Sequence, residues 1–304
     1  MSGTSRREFL WQTGAAAAAL GLTAGTALSA AGPAPEPAKR QIRKALGIEM
    51  ITAPSMMEKF KLARDAGFAG IEIDSPGKWK MDEVLAARDA TGVAIIGTVD
   101  SEHWNLTLGD PDPQKRAAGL EALRRSLRDC KALGGVSVLF VPGVVNAQIS
   151  YSDLYKRSQE ELRKVVPLAE ELGVKIGIEN VWNNFLLSPL EAARYVDEFN
   201  SPAIGWHFDV GNIVAFGWPD QWIRILGKRI VKLHFKEYSR RRRDQSGMYK
   251  GFEVELMDGD NDWPAVMKAL DDVGFTGWAA LEVKGGKLDR LKFLSERTNR
   301  ILAL

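Results

Sequence analysis

The chain alternates short apolar runs with longer stretches in which apolar residues return every three or four positions. Short apolar runs bounded by turn residues read as buried strands, and longer periodic stretches as helices with one core-facing stripe. Strands are expected at Ala45–Ile51, Gly70–Asp74, Ala94–Val99, Val136–Val141, Lys175–Glu179, Ala203–Asp209, Ile230–Lys236 and Ala279–Val283. Helices are expected at Ser55–Ala66, Met81–Thr91, Gln114–Ala132, Ser152–Leu172, Pro189–Phe199, Asp220–Leu226, Trp263–Asp272 and Leu288–Ile301. Several close on glycine, as in AGF at 66–68, ALGG at 132–135, ELGV at 171–174 and DVGF at 272–275. A residue free to adopt positive φ there ends the last turn. Eight βα units in unbroken order predict an α/β fold, a single-domain (β/α)8 TIM barrel. A doubly wound open sheet is the alternative; it would leave two strands to place and lacks the glycine-rich phosphate turn after its first strand.

The N-terminus stands outside this pattern. Ser5-Arg6-Arg7-Glu8-Phe9-Leu10 is a twin-arginine pattern, followed by an uncharged, Ala-rich stretch from Gly14 to Ala31. Residues 1–31 are therefore expected to be a twin-arginine export signal and to send the protein to the periplasm or another extracytoplasmic space. An N-terminal membrane anchor is the competing reading, but this Ala/Gly/Thr stretch is weakly hydrophobic, and no stable membrane insertion is expected once the signal is removed. Residues 32–43, with GPAPEP, read as a linker, and 44–304, about 260 residues, as the barrel.

Charge narrows the partners. The formal charge is +2, and loss of Arg6, Arg7 and Glu8 removes two positive charges and one negative, leaving +1. Neither nucleic acid nor an anionic membrane is implied. The single cysteine, Cys130, has no internal disulfide partner and sits in a helical pattern, where it reads as a small core residue. Association into a homo-oligomer stays open.

The candidate chemistry lies at strand ends. The fifth strand closes IGIEN on Glu179, the sixth on Asp209, the seventh runs VKLHFK through His234, and the eighth ALEVK through Glu282. In a barrel the C-terminal strand ends carry the active site, and alternate residues point inward. Each neighbour (Ile178, Phe208, Leu233, Phe235, Leu281, Val283) is apolar and suited to face the helices. Two glutamates, one aspartate and one histidine form an oxygen-rich set with one imidazole. Such a set suits one divalent cation, Mn²⁺ foremost, with Mg²⁺, Co²⁺ or Zn²⁺ as alternatives. The competing account pairs each acid with a basic residue such as Lys232, Lys236 or Lys284. His207 has the inward parity of Asp209 but lies deeper, and reads as a hydrogen-bonded core histidine or a support to the ligands.

IEN, DVGN, KLHFKEY and LEV, in that order and spacing, resemble the sugar phosphate isomerase/epimerase family with the xylose-isomerase-like TIM barrel. Within it they are closest to L-ribulose-5-phosphate and L-xylulose-5-phosphate 3-epimerases. The resemblance covers the chain after the linker, and Asn212 stands where tagatose-epimerase-like members more often carry histidine. It implies that Glu179, Asp209, His234 and Glu282 bind one metal and that Glu179 and Glu282 are the acid–base pair. The implied function is a metal-dependent epimerase or isomerase acting on a ketose or keto-sugar through an enediolate. A carbohydrate is the expected partner.

Around this set, Lys236 is a candidate for a substrate oxygen, with pairing to Glu237 or another rim acid as the alternative. Glu72 is a candidate for sugar hydroxyls, together with Asp74. Trp104 and Trp182 lie on mouth loops suited to sugar stacking or to loop packing, and His103 is either a substrate contact or a surface histidine. Asn212 and Arg240 complete the substrate-side set; Arg240 heads the RRRR run, which either clamps an anionic group or is solvated. Three rivals remain: β-elimination or hydrolysis of a keto-glycoside at the same site, a non-catalytic carbohydrate-binding protein, and an endonuclease-IV-type barrel. The last needs more imidazoles than three histidines supply.

Overall fold

The computed structural model describes residues 41–304; the expected export signal and linker positions 32–40 lie outside them. Eight parallel strands close into a barrel in chain order. They are β1 (Ile42–Gly47), β2 (Gly70–Ser75), β3 (Ala94–Asp100), β4 (Ser137–Phe140), β5 (Lys175–Glu179), β6 (Ile204–Asp209), β7 (Ile230–Phe235) and β8 (Gly277–Leu281). The helices packed around them are α1 (Met56–Asp65), α2 (Met81–Thr91), α3 (Pro113–Leu133), α4 (Tyr151–Arg163), α5 (Val166–Leu172), α6 (Pro189–Asp197), α7 (Val210–Val214), α8 (Pro219–Leu226), α9 (Arg240–Ser246), α10 (Trp263–Asp272) and α11 (Leu288–Leu302). Side-chain caps start many of them: Ser55, Asp112, Ser150, Ser188 and Asp262 each accept from a backbone N–H of the first turn. Gly67, Gly134, Gly173 and Gly274, the glycines expected at helix ends, all have positive φ.

Four differences from the sequence pattern have local causes. β1 runs from Ile42 to Gly47, because Ile48–Met50 turns as a 3-10 helix and buries Ile48 and Met50 over the barrel end. The stretch expected as one helix at 152–172 breaks after Arg163, because Pro167 in the first turn of α5 cannot continue a helical hydrogen-bond ladder. The five-residue α7 is too short to show a period. The seven-residue α9 has four arginines where a helix would show an apolar stripe, so neither of these two helices shows in the sequence pattern. Finally, β7 and β8 each end one residue before Lys236 and Glu282, which therefore sit just beyond the strands.

The main core fills the layer between barrel and helices, with Ile71, Ile73, Ile178, Phe208, Leu233 and Phe235 among its members. Their alternates point inward and are unusually polar for a barrel interior: Glu72, His207, Lys232 and His234 are all at most 5% exposed. Gly97 makes room for this layer. A Cβ there would lie 2.7 Å from Lys232 Nζ and 2.2 Å from Ser137 O. Cys130 is buried in the core, as expected.

Candidate metal centre

Four consecutive strand exits bring Glu179, Asp209, His234 and Glu282 together, each offering a ligand atom within 4.8 Å of the others. Asp209 does double duty. As N-cap of α7 its Oδ1 accepts from Asn212 N at 2.8 Å, which leaves Oδ2, fully buried and without a hydrogen-bond partner, turned toward the other three. The turn must be glycine at position 211, because a Cβ would meet the Lys236 carbonyl carbon and oxygen at 2.8 Å. Asn180 locks this exit to β5. Its Nδ2 donates to Asp209 O at 2.7 Å, and its Oδ1 accepts from Asp209 N and Trp206 Nε1. Asn212 Nδ2 in turn donates to Asn180 O at 3.0 Å. The IEN and DVGN motifs are thus one hydrogen-bonded unit, and Asn212 lines the cavity while its amide nitrogen is engaged with the backbone.

His234 is held from behind. Its Nε2 lies 2.7 Å from Glu72 Oε2, and the other Glu72 oxygen is taken by the buried Lys232 ammonium. With Nε2 taken by Glu72, Nδ1 faces Glu282 Oε2 at 3.2 Å and Glu179 Oε1 at 3.6 Å. The surrounding carboxylates push the imidazole well above its ordinary range against the cost of burial, and Nδ1 is the nitrogen a cation would take in place of the proton. Burial opposes ionisation of Glu72, but Lys232 and His234 outweigh it and bring its pKa down to about 2. Glu72 therefore supports the imidazole instead of reading sugar hydroxyls, and Lys232 serves Glu72 and none of the four converging residues. Of the two readings of His207, the structure fits support to a ligand and not a hydrogen-bonded core histidine. Neither ring nitrogen has a hydrogen-bond partner, and the ring packs edge-on against His234 at 4.1 Å.

The electrostatics favour a cation. Burial, with the charges of Glu282 and Glu179, outweighs Lys236 and His234 and pushes the Asp209 carboxyl up to about 8. Glu179 is also raised, by burial first and by Glu282. Glu282, whose side chain is 42% exposed, is lowered: burial resists, but His234 and Lys236 prevail. Three carboxylates facing an unpartnered Asp209 Oδ2 and His234 Nδ1 match the donor set of a divalent cation, which would neutralise them together. The residues fit a metal.

Above them opens a cavity of about 600 Å³. Lys236 Nζ enters it and donates to Glu282 Oε2 at 2.9 Å, with Asp209 Oδ2 at 3.8 Å. Its expected partner Glu237 faces the other way, accepting from Trp263 Nε1, Met257 N and Asn261 N, and so organises the segment before α10. His103 is 4% exposed, Trp104 is 49% exposed, and both line the cavity. Burial takes His103 down to about 4, so it is neutral. Trp182 also lines it, its Nε1 donating to Asn212 O at 2.9 Å. Arg240 does not. Its guanidinium donates to Val214 O at 2.9 Å and Gly217 O at 2.8 Å, tying α9 to the loop after α7. Sequence reasoning missed Tyr249 and Phe252, which close the cavity from the segment after α9; their only signal was aromatic residues in a long connection.

A model of the xylose isomerase-like TIM barrel family matches residues 60–299. L-ribulose-5-phosphate 3-epimerase UlaE of Escherichia coli O1:K1 is 25% identical over 240 residues, covering 75% of this chain and 81% of that protein. A D-tagatose 3-epimerase-like protein of known structure superposes with a TM-score of 0.74 at 18% identity, covering 86% of this chain and 97% of its own. The apo form of YcjR from E. coli, a 3-keto-D-glucoside 4-epimerase, gives 0.72 at 16% identity, covering 87% of this chain and 100% of its own.

Proposed function

The chain belongs to the xylose isomerase-like TIM barrel family, and from that premise we propose that it is a divalent-metal-dependent sugar epimerase or isomerase. It would move a proton at the carbon beside a ketone. The observation that carries this reading is that Glu179, at the end of β5, and Glu282, just beyond β8, both approach His234 Nδ1, at 3.6 and 3.2 Å. A cation held by Glu179, Asp209, His234 and Glu282, for which Mn²⁺ suits the oxygen-rich set, would supply Lewis-acid polarisation of the substrate carbonyl.

The proton itself is the work of the two glutamates. Both carboxylates reach the same point, as acid–base catalysis at one carbon needs. One removes the α-proton and the other returns one from the opposite face, which inverts that carbon. Return to the adjacent carbon instead gives ketose–aldose isomerisation; the 3-epimerase relative supports inversion. Lys236 steadies oxygen on the substrate, and Trp104 and Trp182 offer ring faces to it.

The reacting sugar is unphosphorylated. Among the described residues Lys236 is the one Lys or Arg that lines the cavity, and Glu282 and Asp209 already engage it, while Glu49 and Asp74, both raised by burial and by neighbouring acids, add further carboxyl groups to the wall. A phosphate on the reacting ring would meet acids. Export by the twin-arginine route, read from residues 1–31, supports the same conclusion, since sugar phosphates are retained in the cytoplasm. The test is deuterium uptake from D₂O by metal-loaded protein given a panel of free ketoses, keto-glycosides and ketose phosphates. Uptake at one α-carbon of a free ketose or keto-glycoside is expected. No uptake with any member overturns the activity, and a hundredfold preference for the phosphates overturns the substrate.

A further inference from the structure

We propose that the pocket outside the metal cavity is a second subsite, built for an acidic group (carboxylate, sulfate or phosphate ester) at the far end of an extended keto-sugar. The proposal rests on the sugar-epimerase reading of the inner cavity and adds the class of substrate that site would take. The starting point is the RRRR run. Helical periodicity places residues three apart on one face, and the structure splits the run accordingly. Arg240 and Arg243 turn inward, Arg240 to Val214 O and Gly217 O, Arg243 to Ala215 O at 2.7 Å. The two inner guanidinia pin α9. Arg241 and Arg242 are thereby held outward on a fixed helix, facing a pocket of about 1030 Å³.

Both arginines lack any hydrogen bond, ion pair or ring contact from the guanidinium; among the described arginines only Arg128 shares this. Lys284, exposed on the facing wall, is also unpaired. Each acid of the pocket has a nearer cation as its ion-pair partner, with Arg242 and Lys284 acting on Glu253 only at longer range. Glu253 is paired with Lys250, Glu255 with Arg290 at 2.7 Å, and Asp258 with Arg297 at 2.6 Å. Three positive charges are left over at a concave surface, two of them guanidinia suited to bidentate oxyanion contacts.

The pocket shares walls with the space next to the metal cavity. Between it and the metal cavity lies a space of about 440 Å³, walled by Lys236 and Glu282 on the inner side, Val283 and Lys284 on the outer, and Phe252 throughout. A keto-sugar in the inner cavity can therefore continue past Phe252 through a second ring, whose acidic group reaches Arg241, Arg242 and Lys284. The two regions have opposite preferences: the inner one excludes an anion and the outer one receives it.

The experiment is calorimetric titration of the full chain, loaded with Mn²⁺, with matched disaccharides. These are cellobiose as the neutral probe and its uronate, sulfate ester and phosphate ester as the anionic ones. Each anionic probe is expected to bind at least about tenfold more tightly than cellobiose at low salt. Their order identifies the group preferred. The advantage should fall as salt rises, vanish in Arg241→Ala/Arg242→Ala, shrink in Lys284→Ala and persist in Arg128→Ala. Equal binding of neutral and anionic probes, or an advantage that survives the double substitution, overturns the proposal. Because the readout is binding and not turnover, absence of proton exchange with every ketose would sink the epimerase reading and leave this result standing.

Discussion

The mouth of the barrel has two arcs, both supplied with acids at strand ends. On the β1–β4 side, Asp74 and Asp100 lie at the ends of β2 and β3. Asp100 is buried, and its Oδ1 accepts from Glu102 N within its own loop. Neither aspartate belongs to a cluster able to hold a metal among the described residues. On the β5–β8 side, Glu179, Asp209 and Glu282 converge with His234 within 4.8 Å; buried polar atoms without partners occur on both arcs, at Asp100 Oδ2 and His103 Nδ1 as at Asp209 Oδ2 and His234 Nδ1. A carboxylate at a strand end is thus common to both arcs; convergence on one point belongs to one. The remaining inward acid of the first arc, Glu72, reaches across the barrel to hold His234, so the two arcs work as ligand set and support.

The strongest test of this division is substitution of the acid–base pair. Glu179→Gln and Glu282→Gln should each lower α-proton exchange by about 10²–10⁴-fold, read as deuterium uptake. Asp74→Asn on the other arc should cost less than about tenfold in the same assay. Equal losses would break the contrast.

Next in size is the metal itself. Asp209→Asn should lower occupancy by elemental analysis and melting temperature together, because a ligand bound only by the native state stabilises it by about 2.7 kcal/mol at a hundred times its Kd. A chelator should lower the parent's melting temperature toward that of the variant and leave the variant unchanged. Full occupancy in Asp209→Asn would remove it from the ligand set.

The supporting role of Glu72 should show as weaker metal binding. Glu72→Gln combined with Lys232→Met, which avoids stranding a buried ammonium, should reduce affinity by about 10–100-fold in a competition titration while the fold is retained. Unchanged affinity would make the Glu72–Lys232 pair a packing feature alone.

Arg240→Ala removes two donors to backbone carbonyls and should cost about 1 kcal/mol in urea unfolding, with little change in proton exchange on a neutral ketose.

The smallest effect concerns His103 in the first arc. Its pKa is depressed by burial from 6.5 to about 4, so the unfolded chain takes up its proton first. The native state therefore loses stability as pH falls through that interval. His103→Gln should flatten the acid limb of melting temperature between pH 6.5 and 4, and an unchanged limb would show that other groups dominate it.

The fold and the four converging residues were legible because both follow short-range rules. Eight apolar runs separated by glycine-capped periodic stretches specify βα units, and strand parity says which side chains face inward. The surroundings were less legible. Glu72 was expected on sugar hydroxyls, Lys236 either on a substrate oxygen or paired with Glu237 or another rim acid, and Arg240 stood among the substrate residues. Their partners are 162, 46 and 26 positions away, on His234, Glu282 and Val214. His207 was expected either to be hydrogen-bonded in the core or to support the ligands, and it packs against the His234 ring without a hydrogen bond.

The sequence by itself determined the class of fold, the inward parity of Glu179, Asp209, His234 and Glu282, and the helical spacing that divides Arg240 and Arg243 from Arg241 and Arg242. Those are properties of a two-residue or 3.6-residue period, written in neighbouring positions. Only the tertiary structure decided which acids meet, which histidine nitrogen faces them and which cations are already paired. Each of those depends on closing β8 onto β1 and on the register between strands. Strand pairing then brings groups far apart in the chain to within hydrogen-bonding distance, where burial makes every unmatched charge costly and so selects its partner.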